Sequence, residues 1–467
     1  MIDFSQDFIE KLKRIKLLPN EYASLEFRDQ CWDKWKSKIP CDMYFMATLT
    51  DTELIELLLA YQIYLYDDVK HRLGNGAKKT ELATSDLVSY LKNPVKNGMN
   101  GNKLTRAQHG LDFAKDFVRD LIYKTAVMGK YTDPARNLDL PKNYHRSIVL
   151  NMIFGSPKPT IAEVSRTLQI TGSVQVVSNF RPMSSACIMQ RYAIDPNPNK
   201  KDIHILVPSE GFLGRLLSSY YIAYHNRDKQ IHYHSIDPNE HLREPYERMV
   251  KYLKNYGGFT SRLTNWHPHF HCHGSEVERA NLGKHLGVEF DFTFTSPPYF
   301  SKELYLGAVD LYLCTDDTPL EAQQSFTKTL QPTDHCRLHR LTDTEYHNLN
   351  YRVGDHITLD NTTYRIYKIN KDTQSHSIGK NKETWNELFF RPTVINMRES
   401  LKQDGYMLWN VADVKQQPNL EADVVRICEE EGFILTETLQ YELSRHPGPG
   451  SKDKRPYEPV FVFKKRT

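Results

Sequence analysis

No stretch of about 18 apolar residues occurs anywhere along this chain, so the sequence offers no membrane-spanning helix. The amino-terminal stretch MIDFSQDFIEKLKRIKLLPN also lacks an apolar core of signal-peptide length. Seven cysteines are present without a C-x-x-C pair. An odd number cannot all pair within one chain, so free thiols in a reducing compartment are expected rather than a disulfide framework. A dominant charge is missing too: 61 Lys and Arg stand against 58 Asp and Glu, leaving a formal +3. That balance does not force a polyanionic partner, although a local basic patch would still permit one. Neither G-x-G-x-x-G nor the Lys-Ser/Thr of a phosphate loop occurs, which disfavours nucleoside triphosphates. These absences leave a soluble, cytoplasmic protein with no membrane partner as the expectation.

What the chain does have is room and aromatic residues. Its 467 residues suffice for two or three domains. Aromatic side chains make up 11%, and 27 of them are Tyr. Residues 1–174 read as a helical region. TDTELIELLLAYQIYLYDDVKHRL has a Thr/Asp start, apolar positions at helical spacing and a basic end. TRAQHGLDFAKDFVRDLIYKTAVMGK predicts a second helix, and the Asn- and Gly-rich KNPVKNGMNGNKLTR between them reads as an exposed loop.

From 175 to 302 the texture becomes strand, turn, helix, repeated. HILVPSEGFLGRLLSSYYIAYHN, QIHYHSIDPNEHLREPYERMVKYLKNY, FHCHGSEVERANLGKHLG and FDFTFTSPPYF follow one another in this way. Such alternation predicts an α/β unit with a parallel sheet, in which ligands bind at the carboxyl ends of the strands. Residues 303–380, with YRVGDHITLDNTTYRIYKIN, read as a β-rich insertion, and 381–467 resume the α/β pattern.

Four turns fall at the predicted carboxyl edge. Gly211 and Gly214 in PSEGFLGR let a ligand approach the backbone at a helix start, though a plain tight turn reads equally well. Asp237 ends the second strand, where a carboxylate can grip a ribose diol or simply cap a helix. The fourth turn, Ser296-Pro297-Pro298-Tyr299, ends a strand on a rigid elbow. An exocyclic amine on a flat base is a poor nucleophile because its lone pair is delocalised. The Ser296 hydroxyl and the Pro297 carbonyl can accept its N–H groups, and Tyr299 offers a face for stacking a flipped base. The histidine run NWHPHFHCHGSE, with His267, His269, His271, Cys272 and His273, invites zinc. It fits a third strand better, and no metal is expected.

TSPPYF resembles the catalytic signature of the DNA amino-methyltransferases, which use S-adenosylmethionine to modify cytosine N4 or adenine N6. Its Ser version is similar to that of the cytosine-N4 group. SNFRPMSSACIMQRYAI resembles the segment before the family's first strand, PSEGFLGRLLSS its glycine turn, SIDPNE its ribose-binding turn and HGSEVE its adenine-side segment. The resemblance implies a class I methyltransferase (Rossmann-like) α/β sheet with a helical amino-terminal region and a β-rich insertion. It implies Ser296, Pro297, Pro298 and Tyr299 as catalytic residues. It implies Phe180, Arg181, Pro182, Ser209, Gly211, Gly214, Asp237, Glu276 and Thr295 beside the cofactor. DNA is the implied partner, with a homodimer and a restriction-system partner as further possibilities. The chain departs from the family at Val207, where Asp or Asn is usual, and at FLG in place of WGG. The alternatives are adenine N6 as target, methylation of RNA or a protein amide, and a nucleic-acid-binding protein on a decayed methyltransferase scaffold.

Overall fold

The computed structural model describes residues 6–39, 41, 43–73, 83–127, 141–153, 163–164, 167–168, 179–256, 263–297, 303–304, 308–329, 335–342, 351–359, 362–370, 382–413, 418–443 and 457–466. Two compact units share the chain: Met1–Leu82, Arg119–Ser178 and Arg445–Lys454 form one, and Ala83–Val118, Asn179–Ser444 and Arg455–Thr467 the other.

The first unit is helical. Gln6–Ile15, Leu25–Trp35, Asp51–Leu73 and Pro141–Ile153 pack around Leu12, Leu54, Leu58, Val149 and Met152, all fully or almost fully buried. The Thr/Asp start seen in the sequence is a capping box. Thr50 Oγ1 accepts from the Glu53 N–H at 3.3 Å, and the Glu53 carboxylate accepts from the Thr50 N–H at 2.8 Å.

The second unit is built on one large mixed sheet. Its strands in chain order are β1 (Asp202–Pro208), β2 (Gln230–Ile236), β3 (Trp266–His271) and β4 (Phe290–Thr295). Strands β5 to β8 belong to the insertion, and β9 (Leu401–Asn410), β10 (Phe433–Glu442) and β11 (Tyr457–Lys465) complete the sheet. Across the sheet the order is β3-β2-β1-β4-β9-β11-β10, extended beyond β10 by the short pair Lys103–Leu104 and Met99–Asn100. From β3 to β9 every neighbour is parallel; β11 runs antiparallel to both β9 and β10. A single reversed strand slotted between the fifth and sixth is the class I methyltransferase variant of the Rossmann-like fold. The chain leaves β1 toward β3, then returns to the far side of β1 as β4. That reversal is the topological switch point.

The strand sequences match their places. All six residues of β4 are buried, as a central parallel strand requires. Its one charge, Asp291, lies at the amino end, where Lys200 (2.7 Å) and Lys402 (2.8 Å) pair with it. Helices cover both faces. On one, α1 (Gly214–His225) meets Trp266, whose indole N–H donates to Ser219 Oγ at 2.9 Å, and Tyr246 of α2 (Arg243–Asn255) packs on Phe270. On the other, α3 (Arg391–Ser400) and α4 (Leu420–Glu430) bury Val394, Met397, Val424 and Ile427 against Leu206, Phe290, Met407 and Phe463.

The insertion is a four-stranded antiparallel sheet of order β6-β5-β8-β7, made of β5 (Ala308–Cys314), β6 (Cys336–Thr342), β7 (His356–Leu359) and β8 (Thr362–Asn370). It enters the chain between β4 and β9. One expectation fails here: KNPVKNGMNGNKLTR is not simply an exposed loop. It carries the pair 99–100 and 103–104 onto the edge of β10, with Leu104 fully buried and the Asn102 carbonyl accepting from the Gln440 N–H at 2.8 Å. The open edge of β10 otherwise leaves backbone groups without partners, and this overrides the loop-forming composition.

Candidate active site

The site begins where β1 stops. Ser209, Gly211 and Leu213 all take the left-handed conformation, with φ of 66°, 64° and 62°. For Ser and Leu that costs on the order of 1 kcal/mol each, so the turn needs support. Arg215 supplies it from below, donating from Nη1 to the carbonyls of Ser209 (3.0 Å) and Glu210 (2.8 Å). No residue caps α1 in the usual way. Instead the buried Glu210 carboxylate accepts from the Leu216 N–H at 3.1 Å and from the Tyr233 hydroxyl. Burial pushes the Glu210 carboxyl up to about 7, against the pull of the Tyr233 hydroxyl and Arg215.

Gly214 is fixed by close packing. A Cβ there would lie 2.5 Å from the Phe180 carbonyl oxygen and 2.8 Å from Asn179 Oδ1. The Phe180-Arg181-Pro182 segment therefore lies directly against the glycine turn, tied by the Asn179 side-chain N–H to the Phe212 carbonyl at 2.6 Å. Phe180 stacks on Tyr441 at 4.4 Å and meets Phe294 edge-on at 5.0 Å. Arg181 sits over the same Tyr441 ring at 4.7 Å and donates to the Glu442 carbonyl at 2.5 Å. Gly211, by contrast, is open: a methyl there would meet only Arg215 Nη1, at 3.6 Å.

The other strands end on the same edge. Asp237, past β2, is 8% exposed. Its Oδ2 accepts from the Gly211 N–H and its Oδ1 from the Asn239 N–H, both at 3.0 Å. It thus ties the second turn to the first and forms an Asx turn with Asn239, not a helix cap. Burial raises its carboxyl to about 6. Each oxygen keeps a second lone pair for another donor. After β3, the Glu276 carboxylate folds over Gly274 so closely that a side chain at 274 would displace it. At the end of β4, the buried Thr295 hydroxyl donates to the Pro208 carbonyl, joining the tips of β1 and β4 across the switch point. Pro297 is buried and Ser296 half-buried. Pro298 and Tyr299 lie outside the described residues.

Phe180, Ser209, Gly211, Gly214, Asp237, Thr295, Ser296 and Pro297 therefore share one end of one sheet. Arg181 and Pro182 lie behind it: Arg181 reaches Glu442, and the Pro182 carbonyl accepts from the Ser218 hydroxyl at 2.8 Å. Four residues not singled out in the sequence join them: Glu210, Arg215, Tyr441 and Asn410. Asn410, 2% exposed at the tip of β9, accepts from the Ser296 hydroxyl at 3.3 Å and donates from Nδ2 to the Pro459 carbonyl at 3.0 Å. Its one sequence signal was a lone amide closing the apolar run YMLW.

The histidine run does form β3. His267 stacks on His232 at 4.8 Å and His269 on His234 at 4.5 Å, while His204 stacks on His232 at 4.5 Å. These parallel rings form rows across the three strands, as in-register pairing requires. Among the described residues no group of three or more His, Cys, Asp or Glu is arranged to hold a metal.

No family model matches the chain, and no curated protein matches its sequence. Solved structures do resemble its fold. A candidate class I S-adenosylmethionine-dependent methyltransferase from Listeria monocytogenes aligns over 82% of this chain and 88% of its own, at 10% identity and a TM-score of 0.33. A methyltransferase from Pyrococcus furiosus aligns over 66% and 100%, at 9% identity and a TM-score of 0.29. The magnesium protoporphyrin IX methyltransferase of Synechocystis PCC 6803, solved with bound S-adenosylmethionine, aligns over 69% and 97%, at 11% identity and a TM-score of 0.28. At such scores the likeness is loose, and it is the strand order of this chain's own sheet that defines the fold.

Proposed function

We propose that this protein is an S-adenosylmethionine-dependent methyltransferase that alkylates the exocyclic amine of a base flipped out of DNA, cytosine N4 first and adenine N6 second. The observation that carries the reading is the placing of Ser296 and Pro297 on the same sheet edge as the glycine turn, directly after Thr295, whose hydroxyl ties the tip of β4 to that of β1 at the switch point. Fold alone leaves the substrate open. The sequence Ser-Pro-Pro-Tyr, which begins where the central strand ends, supports an amine.

The turn suits an adenosyl group. Gly211 leaves its backbone uncovered, Asp237 holds lone pairs for a ribose diol, and Phe180 walls the methionine side. Bound there, S-adenosylmethionine supplies an electrophilic methyl group. Ser296 and the Pro297 carbonyl hold the amine by its two N–H groups, which draws the nitrogen lone pair out of the ring and toward the methyl carbon. With S-adenosylmethionine bound, a nitrogen–carbon bond would form as its sulfur–carbon bond broke, and the surplus proton would leave for water, so no strong base is required of the chain. Tyr299 stacks on the flipped base. DNA is the proposed partner, and the insertion after β4 the proposed reader of its sequence. A homodimer and a restriction partner belong to the same proposal.

The test is to express the protein in a host free of other DNA methylation, digest the DNA to nucleosides and analyse them by mass spectrometry. N4-methylcytosine is expected. N6-methyladenine would move the target to the second base. Binding of S-adenosylhomocysteine without a methylated base in DNA or RNA would refute the amine reading. No binding even at millimolar concentration would favour the decayed scaffold.

A further inference from the structure

A hydroxyl carries one proton and two lone pairs, so its role in a site depends on where that proton points. The register of the sheet decides this for Ser296. Strand β9 lies parallel to β4 with Trp409 beside Thr295, which brings Asn410 next to Ser296 across 114 residues of sequence. Their side chains meet at 3.3 Å. Which way the Asn410 amide faces is fixed from behind. Pro459 has no N–H, and its carbonyl can only accept, so Asn410 must turn Nδ2 toward it, at 3.0 Å. Oδ1 then faces Ser296, and an amide oxygen can only accept. The Ser296 proton is committed inward. Thr295 repeats the pattern one residue earlier, its proton committed to the Pro208 carbonyl.

We infer that Asn410 is a positioning residue that makes Ser296 Oγ a pure acceptor, so that the site selects a primary amine by its two N–H groups. The inference rests on the reading above and deepens it. With the Pro297 carbonyl as second acceptor, the β4 tip presents two lone-pair donors and no proton. A primary amine satisfies both. A ring carbon, a carbonyl or a tertiary ring nitrogen has no N–H to offer and would leave the acceptors unpaired, which disfavours it strongly in a site of this kind. The chain from Pro459 through Asn410 to Ser296 thus converts a backbone carbonyl on β11 into a preference for one class of nucleophile. It also predicts what Ser296 cannot do: with its proton spent on Asn410, it is not a proton donor to substrate.

The experiment compares wild type, Ser296→Ala, Asn410→Ala, the double variant and Asn410→Asp. Methyl transfer from tritiated S-adenosylmethionine to unmethylated bacteriophage DNA is measured alongside calorimetric binding of S-adenosylhomocysteine and thermal unfolding. Asn410→Ala is expected to lower kcat by about 10- to 100-fold, the scale of a misplaced catalytic contact, with cofactor affinity unchanged. In the Ser296→Ala background its removal should change nothing further. Asn410→Asp matches the amide only while its buried carboxyl is protonated, when it donates to the Pro459 carbonyl and accepts from Ser296; it should retain most of kcat at low pH and lose it as pH rises. It also carries the comparison if the Ala variant does not fold. Full kcat in Asn410→Ala, losses that multiply in the double variant, or an Asp variant as impaired as the Ala one at every pH would overturn the inference while leaving the amine reading intact. A wild type that binds S-adenosylhomocysteine yet methylates neither DNA nor RNA would overturn both.

Discussion

Replacing His234 by Phe should make the sheet unit less sensitive to acid, by an amount that can be worked from its surroundings. His234 is 7% exposed, stacked on His269 and His271, with Phe290 edge-on at 5.3 Å. Burial, reinforced by the neighbouring rings of His269, His271, His204 and His232, lowers its pKa from 6.5 to about 3. Burial likewise brings His204 and His271 to about 4. Each lowered histidine stays neutral in the fold but binds a proton on unfolding, so stability falls as pH drops below 6.5. Each contributes a slope of about 1.4 kcal/mol per pH unit. Glu210 and Asp237, raised to about 7 and about 6, act in the opposite sense between roughly pH 4.5 and 6. His234→Phe removes one such histidine and leaves the other titrating groups in place. Losing the His234–His271 hydrogen bond (3.2 Å) costs about 1 kcal/mol at every pH. Relative to wild type, the variant should then gain about 2 kcal/mol between pH 6.5 and 5.0. Urea unfolding at the two pH values measures this difference directly. A mutant-to-wild-type gap that does not change with pH would refute the buried, neutral assignment of His234.

Other consequences follow from the turn residues. Gly214→Ala pushes a methyl against the Phe180 carbonyl and Asn179. It should destabilise the unit by about 1–3 kcal/mol and weaken S-adenosylhomocysteine binding at least tenfold, as read by calorimetry; an unchanged dissociation constant would separate Phe180 from the cofactor. Glu210→Gln mimics the protonated acid. The folded pKa of Glu210 lies above its unfolded one, so the wild type loses stability as pH rises from 4.5 through 7. The variant should therefore gain relative stability over that window, on the order of 3 kcal/mol; parallel pH profiles would contradict this. Asp237→Ala removes the acceptor shared by the Gly211 and Asn239 N–H groups. It should weaken cofactor binding while leaving the far end of the sheet intact, which hydrogen exchange at β10 and β11 can report.

Much of this site was legible because the parallel sheet advertises its edge. A buried strand such as FDFTFT is continuous in sequence, and the turn after it carries short, conformationally special residues. Gly211, Gly214, Asp237 and Ser296 could be read one turn at a time. Partners that act from a distance were not legible. Asn410 is an ordinary strand-end amide until register places it beside Ser296, and Tyr441 is one aromatic among many until it stacks on Phe180. Glu210 carries no sequence signal, because a carboxylate capping the next helix from inside the turn follows no local pattern. The segment 99–104 misled for a related reason. Its composition is that of a loop, and only the unpaired edge of β10 explains why it pairs there.

Strand β11 comes latest of the sheet strands in chain order, yet its place is interior, between β9 and β10. During synthesis β9 and β10 therefore lack their shared neighbour until residues 457–465 have emerged. The carbonyl that orients Asn410 arrives on that same strand, at Pro459. A nascent chain that already has its glycine turn cannot yet hold Ser296 as the finished protein does. The strand that completes the sheet is thus also the one that aligns the Ser296 hydroxyl.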